Sequence, residues 1–121
     1  GNTYVEISID QQHMWYYKNG KLVVETDVVT GNYGTSDTPK GAYSIIYKAS
    51  PATLMQNSHV TFWLPFTSDG CGIHDASWRS SWEYGGTRYK GHGSHGCVNT
   101  PYNAAKKIYN NISSGTRVVV Y

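Results

Sequence analysis

An Asn19-Gly20 dipeptide between two runs of β-forming residues is the strongest local constraint on the fold of this chain. The runs at 13–18 and 21–24 are rich in aromatic and branched apolar residues, which favour strands. Asn and Gly both tolerate the positive φ angles that a type I′ turn requires. The pattern predicts a β-hairpin, and we expect its second strand to continue to about Thr30.

Other segments add strands to this hairpin and one helix. Alternating apolar residues predict a first strand over 4–10, and β-rich runs predict strands over 43–48, 60–66, 71–74 and 116–121. Glycines and a proline make 31–41 a loop. Thr100 is the expected N-cap of the helix, with Pro101 at its first position. Its expected buried face comprises Ala104, Ala105, Ile108 and Ile112. The predicted fold class is therefore mostly β with one principal helix.

Length and charge narrow the possible functions. A chain of 121 residues suits one domain, residues 1–121. The net charge of +2 and the scattered Lys and Arg residues argue against nucleic acid as a partner. No apolar run reaches the roughly 18 residues of a membrane span. A strand pattern begins almost at once with no signal peptide before it, so we expect a domain excised from a longer protein.

Two cysteines and three histidines lie in two nearby segments: Cys71, His74, His92, His95 and Cys97. A disulfide between the cysteines would leave the histidines unexplained. A structural zinc site could use Cys71 and His74 with His92 and either His95 or Cys97, but one glycine between the last two is cramped for two ligands. A third interpretation makes Cys97 a nucleophile.

The nucleophile interpretation uses the most residues. Cys97 lies three positions before Thr100, so we expect the helix start to lower its thiol pKa. His74, at the end of a strand, could act as base, and residues 75–93 would fold over the site as a lid. Glycines 91, 93 and 96 allow tight turns that bring backbone N–H groups to a reacting carbonyl.

These residues also resemble a known signature. His74 followed, after residues 75–93, by Ser94-His95-Gly96-Cys97-Val98-Asn99 resembles the motif of the L,D-transpeptidases of the YkuD type, of the Gram-positive kind. Val29-Thr30-Gly31 and the segment 38–43 (TPKGAY) are similar to that family's "TG…TPxG" segment. The strand over 72–75 (GIHD) resembles the family's base-bearing strand. The likeness extends over nearly the whole chain.

The resemblance implies a β-sandwich-type domain whose principal helix follows the active-site cysteine. It implies the roles of nucleophile for Cys97 and of general base and acid for His74, whose ring the backbone carbonyl of Asp75 would orient. Ser94, His95, Gly96 and Asn99 would support the motif loop, with backbone N–H groups near Gly96 and Cys97 as oxyanion donors. Tyr89, His92 and Trp78 are expected to contact substrate from the lid. No metal or cofactor is implied.

The implied reaction is acyl transfer between peptidoglycan stem peptides. Cys97 would attack the third residue of a tetrapeptide donor, release D-Ala and pass the acyl group to an amine acceptor, giving a 3→3 cross-link. Carbapenems would acylate the same thiol, which is expected to exist largely as thiolate beside an imidazolium. A cysteine L,D-carboxypeptidase and a non-catalytic zinc-stabilised wall-binding module are the alternatives. We expect an extracytoplasmic monomer in which Cys71 is buried and points away from Cys97.

Overall fold

The computed structural model describes residues 2–54 and 57–121, which form a mostly β domain. Its strands are β1 (Tyr4–Ser8), β2 (His13–Lys18), β3 (Lys21–Asp27), β4 (Gly41–Ser44), β5 (Ala52–Thr53), β6 (His59–Val60), β7 (Trp63–Pro65), β8 (Gly72–Asp75), β9 (Val98–Thr100) and β10 (Arg117–Val120). Its α-helices are the short α1 (Tyr89–His92) and the longer α2 (Tyr102–Asn111), and Ser81–Glu83 form a 3₁₀ turn. No helix in this part of the chain has the length and apolar character of a membrane span.

The larger sheet has the strand order β3-β2-β1-β10-β4. The predicted hairpin is confirmed, because β2 and β3 pair antiparallel and both turn residues have positive φ, 53° at Asn19 and 80° at Gly20. At the centre of the sheet β1 runs parallel to β10, with Tyr4 opposite Arg117 and Ile7 opposite Val120.

The predicted extension of the hairpin to Thr30 is wrong, because β3 ends at Asp27. Gln12 replaces the strand partner beyond that point. Its backbone carbonyl accepts from the Val28 N–H at 3.0 Å, and its buried side-chain oxygen accepts from the Thr30 N–H at 3.0 Å. The chain therefore leaves the sheet here and turns toward the loop that holds Cys97.

A second sheet of three strands, in the order β7-β8-β9, carries the base and part of the signature. Strand β8 pairs antiparallel with β7 and parallel with β9, which places His74 directly opposite Asn99. The chain crosses between the sheets after β4. The Ile45 N–H donates to the carbonyl of Thr116, just before β10 of the larger sheet, whereas the Ile46 N–H donates to the carbonyl of Pro65 in β7 of the smaller sheet. The predicted bounds of 43–48 are therefore wrong, because β4 covers Gly41–Ser44 and the crossing ends it there.

The predicted strand over 60–66 is divided into β6 and β7. The N–H groups of Thr61 and Phe62 donate to the Asp75 carboxylate at 2.8–3.1 Å instead of joining a ladder. A buried carboxylate needs such donors because its charge is otherwise poorly solvated. The break between β6 and β7 thus holds Asp75, the residue that follows His74, in place.

The core lies between the two sheets and α2, and its fully buried members include Val5, Ile7, Met14, Tyr16, Ile45, Leu64, Ile73, Val98, Ile108 and Val118. Ala105, Ile108 and Ile112 face this core as predicted, while Ala104 is half-buried. The predicted Thr100 N-cap is wrong. Thr100 belongs to β9 and its hydroxyl donates to the Val98 carbonyl, so Pro101 is the residue that precedes the helix.

Candidate active site

One cavity of about 490 Å³ collects most of the residues that the sequence singled out. It opens where the ends of β8 and β9 meet the loop 93–97. Its lining includes Cys71, His74, Trp78, Arg79, Ser94, His95, Cys97 and Asn99, together with Tyr47, Leu54, Trp63 and Asp69. The lining thus combines a thiol, an imidazole and aromatic surface in a space large enough for a peptide segment.

His74 is the base candidate, and its tautomer follows from its contacts. Its Nδ1 lies 2.7 Å from the backbone carbonyl oxygen of Asp75, which can only accept. The hydrogen is therefore on Nδ1, and Nε2 presents a lone pair. Burial lowers the pKa of His74, partly offset by the carbonyl and charge of Asp75. The ring is neutral at pH 7 and able to accept a proton.

The rings of Trp63 and Trp78 flank this imidazole, with centroids 5.9 and 5.8 Å from that of His74. Trp63 is buried, whereas 55% of Trp78 is exposed. The two tryptophans thus cover part of the imidazole, and Trp78 also lines the cavity.

The loop that carries Cys97 is held by hydrogen bonds within the signature. The Ser94 hydroxyl donates to the Cys97 carbonyl and accepts from the Gly96 N–H at 3.1 Å. Gly96 has a φ of +128°, a conformation that side chains disfavour. The Gly96 N–H is therefore occupied inside the loop, which corrects the expectation that it faces an oxyanion.

Thr38 links this loop to the TPKG segment. Its hydroxyl donates to the Gly96 carbonyl at 2.7 Å and accepts from the Gly31 N–H at 2.9 Å. Thr38 is buried, so both partners depend on this one side chain. The "TG…TPxG" residues thus hold the nucleophile loop from behind.

The Cys97 thiol is not activated by a helix, contrary to expectation. Strand β9 separates Cys97 from α2, and burial raises the pKa of Cys97 to about 11. A hydrogen bond from the Gly72 backbone lowers this pKa, while the charges of Cys71 and Asp69 raise it further. With the pKa of His74 lowered, the resting pair is a neutral thiol and a neutral imidazole rather than the expected thiolate–imidazolium.

Asn99 and Arg79 extend the site behind His74. Asn99 Nδ2 lies 3.5 Å from His74 Nε2, and Arg79 Nε donates to Asn99 Oδ1 at 2.8 Å. Sequence analysis did not single out Arg79, because it lies in the irregular segment 75–93 with no spacing that relates it to the signature. Its position becomes informative only after β8 and β9 are paired.

Comparison with protein families identifies the domain. A family model described as the YkuD L,D-transpeptidase catalytic domain matches residues 2–120. The chain belongs to this family. No curated protein matches the transpeptidase domain at the level of sequence.

Solved structures agree with this assignment. The chain is 42% identical to a cysteine-to-serine mutant of the Enterococcus faecium L,D-transpeptidase, with a TM-score of 0.94. The match covers 100% of the present chain and 50% of the mutant's chain. It is 40% identical to the Ldtfm–avibactam carbamoyl enzyme, with a TM-score of 0.91 and coverage of 100% and 49%. The ertapenem-acylated catalytic domain from E. faecium is 39% identical, with a TM-score of 0.81 and coverage of 99% and 97%. The transpeptidase domain thus spans about half the length of the first two chains.

The structure brings together some of the residues expected to contact substrate and separates others. Trp78 and the exposed His95 line the cavity. Tyr89 does not, because it belongs to the core, is 3% exposed and has its ring edge-on to that of the exposed Tyr33. The expectation that Tyr89 contacts substrate is therefore wrong. His92 lies outside the cavity lining, and its carbonyl accepts from Arg79 Nη2 at 3.0 Å.

The two cysteines line the same cavity, and Cys71 is not buried as expected. Both thiols are free, and Cys71 is half-buried. A Cβ placed on Gly96 would lie 3.2 Å from Cys71 Sγ, so Cys71 sits against the nucleophile loop. Burial raises the pKa of Cys71, which leaves it protonated at neutral pH.

The zinc interpretation finds no ligand set in residues 2–54 and 57–121. Within these ranges, no three His, Cys, Asp or Glu side chains come together as a metal site. The Asp75 carboxylate binds the N–H groups of Thr61 and Phe62, and His74 Nδ1 binds the Asp75 carbonyl. His74, one of the ligands that this interpretation requires, is thus engaged in a contact that organises the site.

Proposed function

We propose that this transpeptidase domain cross-links peptidoglycan stem peptides through a thioester on Cys97. The observation that carries the proposal is that Cys97 and His74 line one cavity, with Nδ1 of His74 anchored and Nε2 unprotonated. A thiol and a base held in this way suit acyl transfer. The relative acylated by ertapenem supports the same covalent chemistry.

In the first half-reaction, Cys97 Sγ attacks the carbonyl carbon of the third stem residue while His74 Nε2 takes the thiol proton. The carbon–nitrogen bond to the terminal D-Ala then breaks, and the imidazolium returns the proton to the leaving amine. The product is a thioester and free D-Ala. Because the resting pair is neutral, proton transfer accompanies attack instead of preceding it.

In the second half-reaction, an acceptor amine attacks the thioester carbon and gives its proton to His74 Nε2. The carbon–sulfur bond breaks, the new amide leaves, and the thiolate takes the proton back from the imidazolium. Among the described lining residues, Asp69 is the one carboxylate. Its negative charge favours the binding of the acceptor as an ammonium, which loses one proton to solvent before it attacks, and this supports transfer to an amine over transfer to water.

The tetrahedral intermediates carry an oxyanion that needs donors. The Gly96 N–H is engaged with Ser94, whereas the described residues offer no hydrogen-bond partner to the Cys97 N–H. We assign the Cys97 N–H as an oxyanion donor. Ser94 and Asn99 support the loop and the imidazole, and Trp78 with His95 forms the surface along which the donor peptide lies.

This function places the protein outside the cytoplasmic membrane, where its polymer lies, and residues 1–121 act as its catalytic domain. We propose that it works as a monomer, since all side chains assigned to the reaction come from one chain. No step of the scheme requires a metal or a cofactor.

The test is the intact mass of the protein after brief incubation with ertapenem, and we expect a single covalent adduct. The adduct should be absent from Cys97→Ala and form at least 100-fold more slowly in His74→Ala, since general-base catalysis contributes roughly 10²–10⁴. Cys71→Ser is the matched control and should form the adduct normally. An adduct that persists in Cys97→Ala would overturn the assignment.

Transfer and hydrolysis are separated by D-Ala release from a tetrapeptide donor. A transpeptidase should release D-Ala faster when an amine acceptor is added and should yield a cross-linked mass. Release that is unchanged by the acceptor, with only tripeptide as product, would assign the domain as a carboxypeptidase.

A further inference from the structure

The contacts behind His74 form a chain of three side chains. Arg79 Nε donates to Asn99 Oδ1 at 2.8 Å, and Asn99 Nδ2 lies 3.5 Å from His74 Nε2. A guanidinium can only donate, so the atom of Asn99 that faces Arg79 must be the oxygen. The amide nitrogen then faces the imidazole.

The orientation of the Asn99 amide decides which charge state of His74 is favoured. With NH₂ toward Nε2, a proton on Nε2 would face another hydrogen, and the neutral ring with its lone pair on Nε2 is preferred. With the amide reversed, Oδ1 would accept from a protonated Nε2, and the imidazolium would gain a hydrogen bond on both nitrogens. A hydrogen bond to the charged form raises a pKa.

We infer that Arg79 is a positioning residue that holds the Asn99 amide in the orientation that keeps His74 Nε2 unprotonated. The inference rests on the proposed function of His74 as the base. Arg79 touches neither the thiol nor the imidazole within hydrogen-bond distance. It acts on the base through Asn99.

Arg79 is itself fixed on three sides. Its side chain is 9% exposed, its Nη2 donates to the His92 carbonyl at 3.0 Å, and its Nη1 lies 3.4 Å from Glu83 Oε1. These contacts tie the start of the segment between His74 and Ser94 to its end. A residue held in this way can keep a neighbouring amide from reversing, which a mobile surface side chain could not do.

The charged and titratable groups around His74 are few. Asp75 follows it, and its backbone carbonyl accepts from Nδ1, while its carboxylate faces Thr61 and Phe62. Cys71, Cys97, Asp69, His95, Arg79 and Tyr47 line the same cavity, and the Tyr47 hydroxyl accepts from Trp63 Nε1 at 3.1 Å. Arg79 remains cationic over the tested range. The thiols stay protonated below pH 8, so Asp69 and His95 are the groups whose charge can add to the effect.

The test is the pKa of His74 measured by NMR of its ring nitrogens in wild type and Arg79→Met. We expect the variant to raise this pKa by about one unit, because the amide is free to reverse and stabilise the imidazolium. Arg79→Lys should restore the wild-type value, since an ammonium also only donates. Arg88→Met is the matched control, because Arg88 lies 3.5 Å from the same Glu83 carboxylate but has no contact with Asn99.

The rate of acylation by ertapenem gives a second readout. A pKa raised by one unit reduces the unprotonated base roughly tenfold at pH values below both pKa values and leaves it unchanged well above them. Arg79→Met should therefore be about tenfold slower than wild type in acid and equal to it at pH 8.5. A merely structural loss would lower the rate at every pH.

Asn99→Asp tests the same inference with Arg79 in place. Its carboxylate presents an acceptor to Nε2 in either orientation, so the His74 pKa should rise even if Arg79→Met does not fold. An unchanged His74 pKa in a folded Arg79→Met, or in Asn99→Asp, would overturn the inference. Failure of wild type to form the ertapenem adduct would instead overturn the proposed function, and the NMR result would still stand on its own.

Discussion

At the scale of single residues, the reactive pair is defined by desolvation. Burial raises the pKa of Cys97 and lowers that of His74, so the cavity disfavours charge on both partners before substrate arrives. A neutral pair reacts by general-base catalysis, in which the proton moves as the carbon–sulfur bond forms. The wall of Trp63 and Trp78 around the imidazole contributes to this desolvation.

The first prediction concerns the reactivity of the Cys97 thiol. It is measured in the Cys71→Ser variant, so that Cys97 is the cysteine that can be alkylated. A pKa of about 11 in place of 9.0 lowers the thiolate fraction at neutral pH roughly a hundredfold, since each unit is tenfold. Alkylation by iodoacetamide should therefore be slow at pH 7 and rise continuously up to pH 10. Asp69→Asn should shift the profile to lower pH, because the Asp69 charge raises this pKa. A plateau of fast alkylation at pH 6–7 would show a preformed ion pair.

The signature residues could be predicted from sequence because they are adjacent in the chain. The pKa of Cys97 could not, since the distance from Cys97 to Thr100 does not reveal that a strand occupies 98–100. Arg79 was missed for a related reason. Its partner Asn99 is twenty positions away, and only the pairing of β8 with β9 brings that partner beside His74.

At the scale of elements, the nucleophile loop depends on a loop far from it in sequence. Thr38 joins the Gly31 N–H to the carbonyl of Gly96, which lies 58 positions after Thr38. Asn32 adds to this, because its side-chain oxygen accepts from the N–H groups of Gly91 and Gly93. The loop 31–41, which carries no catalytic side chain, thus holds both ends of the segment before Cys97.

The second prediction follows from that dependence. Thr38→Val preserves the shape of the side chain but leaves a buried N–H and a buried carbonyl without their shared partner. We expect the free energy of unfolding to fall by about 1–3 kcal/mol, measured by urea denaturation. Ertapenem acylation should also slow, because the Gly96 turn loses its anchor. Thr87→Val removes an exposed hydroxyl with no hydrogen bond among the described residues and should cost much less; equal losses in the two variants would contradict this explanation.

At the scale of the whole molecule, the smaller sheet carries residues of the candidate site, and the larger sheet packs against it across the shared core. The chain crosses from the larger sheet to the smaller one after Ser44, and the core between them supports β8 and β9 from below. The β-rich class and the hairpin were predictable from composition and turn chemistry. The crossing and the divided strand at 61–62 were not, because each depends on a partner distant in sequence, Pro65 in one case and the Asp75 carboxylate in the other.

The third prediction concerns the pH dependence of stability. The pKa of His74 is lowered by folding, so its contribution is present above pH 6.5 and is lost as pH falls through the folded value. The pKa of Cys97 is raised, so its contribution is present below pH 9 and is lost as pH rises toward about 11. Stability should be greatest between these limits.

Urea denaturation across pH would test this profile. Each group changes the free energy of unfolding by at most about 1.4 kcal/mol per pH unit. In His74→Gln, the free energy of unfolding should change less with pH on the acid side than in wild type. In Cys97→Ser, it should change less with pH on the alkaline side. If both variants kept the wild-type slopes, other groups would be responsible for them.

The parallel pairing of β1 with β10 has a mechanical consequence. These neighbouring strands run in the same direction, so the start of β1 and the end of β10 lie at opposite ends of their shared ladder. Tension applied through residues near Tyr4 and Tyr121 would load those hydrogen bonds in shear, all together, instead of opening them one at a time. Pulling along this axis would therefore meet the sheet in the direction in which its hydrogen bonds resist most strongly.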